Sequence, residues 1–275
     1  MATKSRSVSA GELSLRVIAG LLALFLGLPV VFLVFRSVAT GALANAVTTP
    51  VVLDALQLSL VTTSISLVVT IVFGLPLAFV LTRRRFRGSG LVEAVVDLPI
   101  VLPPAVAGLG LLLVFGRRGL LGEPVGELFG ISIPFTTAAV VLAQVFVSAP
   151  FFVRSARTGL GSVPRELEDA ARVDGAGELY LFRRITVPIA RAALAAGLVM
   201  TWARSLGEFG ATIMFAGNFP GKTQTLPLVV YSEFNSGDLD ASIAAAAILV
   251  LAAFGVLIAV RVLHWGRVLD DRSLG

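Results

Sequence analysis

Runs without Asp, Glu, Lys or Arg divide the chain into long apolar windows joined by short charged stretches. Nineteen uncharged residues lie between Arg16 and Arg36, 28 between Asp54 and Arg83, 19 between Asp97 and Arg117, 26 between Glu127 and Arg154, and 20 between Asp240 and Arg261. A helix needs about 20 apolar residues to cross the hydrocarbon core of a bilayer, so each window predicts a span. A sixth is interrupted, since 192–203 and 209–221 carry no charge but Arg204 and Glu208 stand between them. Their i,i+4 spacing puts both side chains on one helix face, where they partly neutralise each other. The pattern predicts an all-α integral membrane protein of six transmembrane helices, the fifth carrying an ion pair. Arg204 falls about 12 residues into that span, about 18 Å deep at 1.5 Å per residue.

Composition agrees with the pattern. Of 275 residues, 56% are hydrophobic and only 14% charged, with a mean hydropathy of +0.93. That leaves too little polar surface for a water-soluble globule and excludes disorder. Cysteine is absent and His264 is the one histidine, which excludes a disulfide framework, a thiolate or His-cluster metal centre and a His-paired nucleophile. The net charge of +5 and pI near 10.6 raise the question of nucleic acid, and the placement of the charges answers it. Seventeen of the 22 Lys and Arg residues fall at the two termini and in the second and fourth loops, four on the opposite side, and Arg204 within the membrane. Cytoplasmic loops carry the basic excess, so both termini are expected in the cytoplasm of a multi-pass plasma (inner) membrane protein, with no nucleic-acid partner. The first span exceeds the roughly 7–15 apolar residues of a signal peptide, and retention is expected. The resulting layout is a cytoplasmic segment 1–14, a six-helix domain 15–264 with a long cytoplasmic loop 154–187, and a cytoplasmic tail 265–275.

Pro29, Pro76, Pro103, Pro104 and Pro150 interrupt spans. The third span, with the Pro103–Pro104 pair followed by Gly108 and Gly110, is the most irregular. Broken backbone persists in lipid only where neighbours or a watery cavity satisfy it, so this segment reads either as tight packing on small residues or as a lining of the translocation path. In the long loop, Pro164 near a helix start and Glu166, Glu168 and Asp169 in its first turn suit the helix dipole. Leu167, Ala170 and Ala171 form a short apolar stripe, and Gly175 supplies a stop. A second short amphipathic stretch, 178–185, leads to Pro188. The loop reads either as an interfacial helix on lipid headgroups or as a docking element, and its acids favour a protein partner.

At this loop the chain resembles the permease subunits of binding-protein-dependent ABC importers. Their signature is Glu-Ala-Ala, three residues, Gly, nine residues, Ile-x-Leu-Pro. Here Asp169-Ala170-Ala171, Gly175 and Ile185-Thr186-Val187-Pro188 keep the spacing throughout, with Asp169 for glutamate and Val187 for leucine. Glu168 offers a glutamate one place out of register. Residues 204–212 and Ala216-Gly217-Asn218 resemble the molybdate/tungstate and sulfate/thiosulfate group, and 98–104 with 115–119 lean towards its molybdate/tungstate branch. The resemblance spans roughly residues 50–260 and implies the MetI-like fold of type I ABC importers. It also implies a second permease copy, two cytoplasmic ATPases that hold ATP and Mg, and an external substrate-binding protein. No cofactor or metal is expected in this chain, nor catalysis by it. The ATPase-coupling residues so implied are Pro164, Glu166, Leu167, Glu168, Asp169, Ala170, Ala171, Gly175 and Ala176. A sulfate/thiosulfate permease and an ATP-independent secondary transporter are the alternatives. A secondary transporter should show internal pseudo-symmetry and more intramembrane ionisable residues, and neither is evident.

Other motifs carry less. Gly217–Thr223 resembles a phosphate-binding loop, but three residues separate Gly217 from Gly221-Lys222 where the motif needs four. An intramembrane charge marks a functional site by default, so Pro103, Pro104, Arg204, Glu208 and Phe209 are candidates for the path or gate. Against this, Arg204 and Glu208 could simply pin helices together, and Glu208 would repel an anion. Asp97 reads as a satisfied helix-end carboxylate, Arg83–Arg87 as a topology signal, and His264 and Trp265 as interfacial anchors.

Overall fold

The computed structural model describes residues 10–84 and 86–272, apart from the side chains of Ala10, Leu13 and residues 259–272. His264 and Trp265, as interfacial anchors, lie outside the described side chains, as does Arg85. In chain order the helices are α1 (Ala10–Ala39), α2 (Ala42–Ala46), α3 (Pro50–Arg83), α4 (Ser89–Val101), α5 (Pro104–Phe115), α6 (Gly122–Phe129), α7 (Thr137–Gly161), α8 (Arg165–Val173) and α9 (Glu178–Leu181). A π turn, Phe182–Thr186, then leads into α10 (Val187–Leu206), followed by α11 (Gly210–Phe215), α12 (Leu226–Ser236) and α13 (Leu239–Arg272). No strand occurs among the described residues. Five of these helices are long and apolar enough to cross a membrane, and α4 with α5 makes a sixth, broken span.

Helix α3 is inverted relative to one in a water-soluble bundle. On α3 the buried face is Ser59, Thr62, Thr63, Ser66, Thr70, Gly74 and Ala78, whereas Val61, Ile65, Val68, Val72 and Phe73 are exposed. Lipid is as apolar as leucine, so burying Val or Phe against another helix gains little. Close packing of small residues and hydrogen bonds decide which face turns inward. The same rule governs α7 against α10. A Cβ at Gly159 would stand 2.6 Å from that of Ala193, and one at Gly197 would stand 2.8 Å from that of Ser155. Ser155 Oγ donates to the Ala193 carbonyl at 2.6 Å. Helix α7 packs chiefly on α3 and α10, which makes these three the centre of the bundle. None of the apolar window of α1 is buried.

Three expectations need correction. Of the prolines, only the Pro103–Pro104 pair ends a helix, while Pro29, Pro76 and Pro150 lie inside continuous ones. A single proline removes one donor, which a long packed helix tolerates. Two in succession remove two and push the preceding residue out of the helical region. Leu102 accordingly takes φ −66, ψ 134 and Pro103 φ −55, ψ 131, and the chain bends by 119° between α4 and α5. The fifth predicted span, 192–221, is not one helix either, since α10 ends at Leu206 and the next helix starts at Gly210. Finally, α7 continues to Gly161, so the first part of the 154–187 stretch, with Arg154 and Arg157, is helical and not loop. They pair across to α4, Arg154 with Asp97 at 3.1 Å and Arg157 with Glu93 at 2.6 Å. Asp97 is therefore ion-paired from the neighbouring helix, off the hydrogen-bonding direction, inside α4 and not at its end.

Candidate functional site

Helix α8 begins one residue after Pro164, as the sequence predicts, and ends in a complete Schellman turn. Gly175 N–H reaches the Arg172 carbonyl at 3.0 Å and Ala176 N–H the Ala171 carbonyl at 2.9 Å. The turn needs a left-handed residue at Gly175, which has φ +89, a conformation that costs a residue with a Cβ about 1 kcal/mol or more.

The burial pattern of α8 is reversed from that of a core helix. Its apolar residues Leu167 and Val173 are exposed, at 49% and 88%, as are Glu166, Asp169 and Ala170, while Ala171 is half-buried. The buried residue is an acid, Glu168, at 5%. Its Oε1 accepts from Arg83 Nη2 at 2.8 Å and from Thr186 Oγ1 at 2.8 Å. Arg83 Nη2 also lies 3.5 Å from the Val163 carbonyl, and Phe182 packs edge-on against Phe79 with ring centroids 5.5 Å apart. One carboxylate thus joins the end of α3, the middle of α8 and the π turn that starts α10. Removing one partner of such a buried pair leaves an uncompensated charge and costs about 3–5 kcal/mol. The neighbouring acid, Asp169, sits in water and meets Arg172 at 2.7 Å, which also bonds Glu178 at 2.7 Å. The hydrogen bonds to Glu178, with Asp169 adding, hold the Arg172 guanidinium above its ordinary range.

The second group of candidates surrounds the break in the fifth span. Arg204 lies in the last turn of α10, seventeen residues beyond Val187 and so about 25 Å along the helix, not 18 Å. Glu208, 1% exposed, places Oε2 2.8 Å from Arg204 Nη1, off the hydrogen-bonding direction. Its Oε1 accepts from Ala211 N–H at 2.8 Å, so the carboxylate caps α11. The i,i+4 pair therefore does not run along one helix but bridges the end of one and the start of the next. The two breaks meet here. A Cβ at Gly210 would stand 2.8 Å from that of Pro104, and one at Gly108 would stand 2.6 Å from the Ala211 carbonyl oxygen. Pro104, Arg204, Glu208 and Phe209 share this region, with Phe209 against Tyr231 at 5.1 Å between centroids. Pro103 is exposed at the α4–α5 bend.

The family described as "Binding-protein-dependent transport system inner membrane component" matches residues 70–266. The chain belongs to that family. Among relatives of this permease, the "Molybdenum transport system permease protein ModB" of Mycobacterium tuberculosis is 43% identical over 214 residues, 78% of this chain and 80% of that one. The "Sulfate transport system permease protein CysT" of Salmonella typhimurium is 36% identical over 220 residues, 80% of this chain and 79% of that one. Among solved structures, a bacterial ABC transporter involved in the import of alginate has a chain that superposes with a TM-score of 0.71 at 16% identity, covering 92% of this chain and 94% of that one. The fold is that of a type I ABC importer permease, a multi-pass inner-membrane component and not a catalyst.

One feature of the permease escaped the reading by charge. A chain of buried hydroxyls and one amide runs through the centre of the bundle. Gln144 Nε2 donates to Thr62 at 3.2 Å and Thr63 at 3.4 Å, and Ser148 Oγ donates to the Gln144 carbonyl at 2.6 Å. Ser205 Oγ donates to Ser148 at 2.7 Å and lies 3.3 Å from Ser66. Ser59 accepts from Leu226 N–H at 2.8 Å, capping the buried start of α12. The signal was the spacing of Ser59, Thr62, Thr63, Ser66 and Thr70 on one helix face.

Proposed function

We propose that this permease imports molybdate or tungstate as a homodimer, driven by two cytoplasmic ATPases that hold ATP and Mg and loaded by an external binding protein. The observation that carries the reading is the reversed burial of α8. An acid turned inward fixes the helix, and Leu167, Ala170 and Val173 are exposed among the described residues. Such a face suits a cytoplasmic protein partner that moves it. The coupling residues are those at and around it: Pro164, Glu166, Leu167, Glu168, Asp169, Ala170, Ala171, Gly175 and Ala176. The 17-to-4 distribution of basic residues supports cytoplasmic termini and hence a cytoplasmic α8.

For the cargo, two relatives of nearly equal coverage give 43% identity to a molybdenum permease against 36% to a sulfate permease, which favours molybdate. The path passes where the α4–α5 bend and the α10–α11 break meet, because broken helices in membranes line cavities or sites. Each ATPase cycle shifts α8 between two positions, and the breaks let the span ends follow. Transport requires the two positions to bind the partner differently.

The test is uptake into proteoliposomes that hold this chain with its ATPase and receive its binding protein outside. The expected result is ATP-dependent uptake of labelled molybdate, inhibited by tungstate and not by excess sulfate. Inhibition by sulfate moves the cargo to the sulfate branch, and uptake without ATP places the chain among secondary transporters.

A further inference from the structure

We infer that the carboxylate of Glu168, held between Arg83 and Thr186, is the link through which movement of α8 reaches both α3 and α10. The inference rests on the reading of α8 as an ATPase-docking helix and names the residue that makes docking productive.

Covalent continuity does not supply the link. Helix α8 joins α9 through residues 174–177, which include Gly175 in the left-handed region and Gly177 in an extended one. Two glycines in four residues make a pliable joint, since glycine turns freely about its backbone. The salt bridge between Arg172 and Glu178 spans the same joint, but both side chains are largely exposed, at 41% and 72%, where water and salt screen the attraction. The contact that is dry and bonded from two directions is the one at Glu168. Arg83 is the last residue of α3, so a pull on Glu168 is a pull on the end of a 34-residue helix. Thr186, 1% exposed, is the last residue of the π turn that runs unbroken into α10. Such π turns occur as insertions within helices, frequently at functional sites. Helix α10 carries Arg204 in its last turn and ends at the break, and α3 carries the hydroxyl face that bonds α7 and α10. Of the two helices that Glu168 holds, α10 therefore runs to the candidate path, and α3 meets α10 beside it through Ser66 and Ser205. Glu168 touches no cargo in this scheme and acts as a positioning residue.

Three variants separate this role from a merely structural one. Thr186→Val removes one hydroxyl at constant shape, Thr186→Ser keeps it, and Glu168→Gln keeps the shape but not the charge. In assembled transporter, Thr186→Val and Glu168→Gln should lower the anion moved per ATP hydrolysed about tenfold, within the span of an ordinary coupling free energy. The ATPase should still co-purify, and Thr186→Ser should stay near wild type. A structural role would lower the yield of assembled complex and leave the ratio per complex unchanged, which overturns the inference. Where Glu168→Gln does not assemble, the Thr186 pair decides. A second readout is independent of cargo. Spin labels at Asp174→Cys, the C-terminal cap of α8, and Arg84→Cys beyond α3 should keep one narrow distance distribution through the nucleotide cycle in the otherwise unaltered chain. That distribution should broaden with Glu168→Gln, and an unbroadened one overturns the link. Failure of the unaltered transporter to move molybdate overturns the cargo reading, and the label distances still judge Glu168.

Discussion

Glu168 and Asp169 stand side by side, and a helix turns them about 100° apart, one into the protein and one into water. The family spacing points to Asp169, and nothing in the motif says which of two adjacent acids is buried. The clue lies outside the loop, in Arg83, whose basic run reads as topology alone until the fold brings Glu168 to it across 85 positions. Arg204 and Glu208 present the opposite case, since their pairing follows from spacing and their helix break does not. Here the two readings, pin and gate, predict different outcomes. Arg204→Gln strands a carboxylate that is 1% exposed, which should cost about 3–5 kcal/mol. Glu208→Gln keeps an oxygen for the Ala211 N–H and should cost less. Thermal unfolding in detergent measures that order, and molybdate uptake by the double variant Arg204→Gln/Glu208→Gln decides the role. A pin regains both stability and transport once no buried charge is stranded, whereas a gate regains stability alone.

At the scale of elements, charge-free windows locate the spans because a charge at the bilayer centre costs about 2.5–3.5 kcal/mol or more. Charge-free windows do not register hydroxyls, to which hydropathy is nearly indifferent, so the seam from Ser59 to Thr70 does not show in them although its period is helical. They are also weak on breaks. Only one of the four proline sites ends a helix, and the break at 207–209 contains no proline. What joins the two broken spans is small size. Gly108 on α5 lies under Ala211 and Met214 of α11, with a Cβ there 2.6–2.8 Å from their atoms, two of which are backbone. Gly108→Ala must therefore push α5 from α11, since no flexible side-chain end can give way. Overpacking of this kind costs about 1–3 kcal/mol. The expected result is a lowered midpoint of thermal unfolding together with reduced uptake, while Gly110→Ala, with nothing within 4 Å of its Cβ, changes neither.

For the molecule as a whole, orientation in the membrane is written in the placement of charge along the sequence. Charge carries the expected orientation: the six-span layout places 17 basic residues on one predicted side against four on the other, the bias that orients insertion. The absence of cysteine turns that count into a clean measurement, because any thiol introduced is the only one. Two exposed positions on opposite predicted sides are Lys222, in the loop after α11, and Val173, at the end of α8. Among the described residues the Lys222 side chain makes no ion pair, and its carbonyl accepts from Thr137 Oγ1 at 2.9 Å, a bond that a change of side chain preserves. Val173 is 88% exposed and tolerates replacement without loss of packing. A membrane-impermeant maleimide applied to intact cells should label Lys222→Cys and leave Val173→Cys unlabelled until the membrane is opened. Reversed labelling would put α8 outside, away from any ATPase, and the docking role of α8 and the link through Glu168 would fall together.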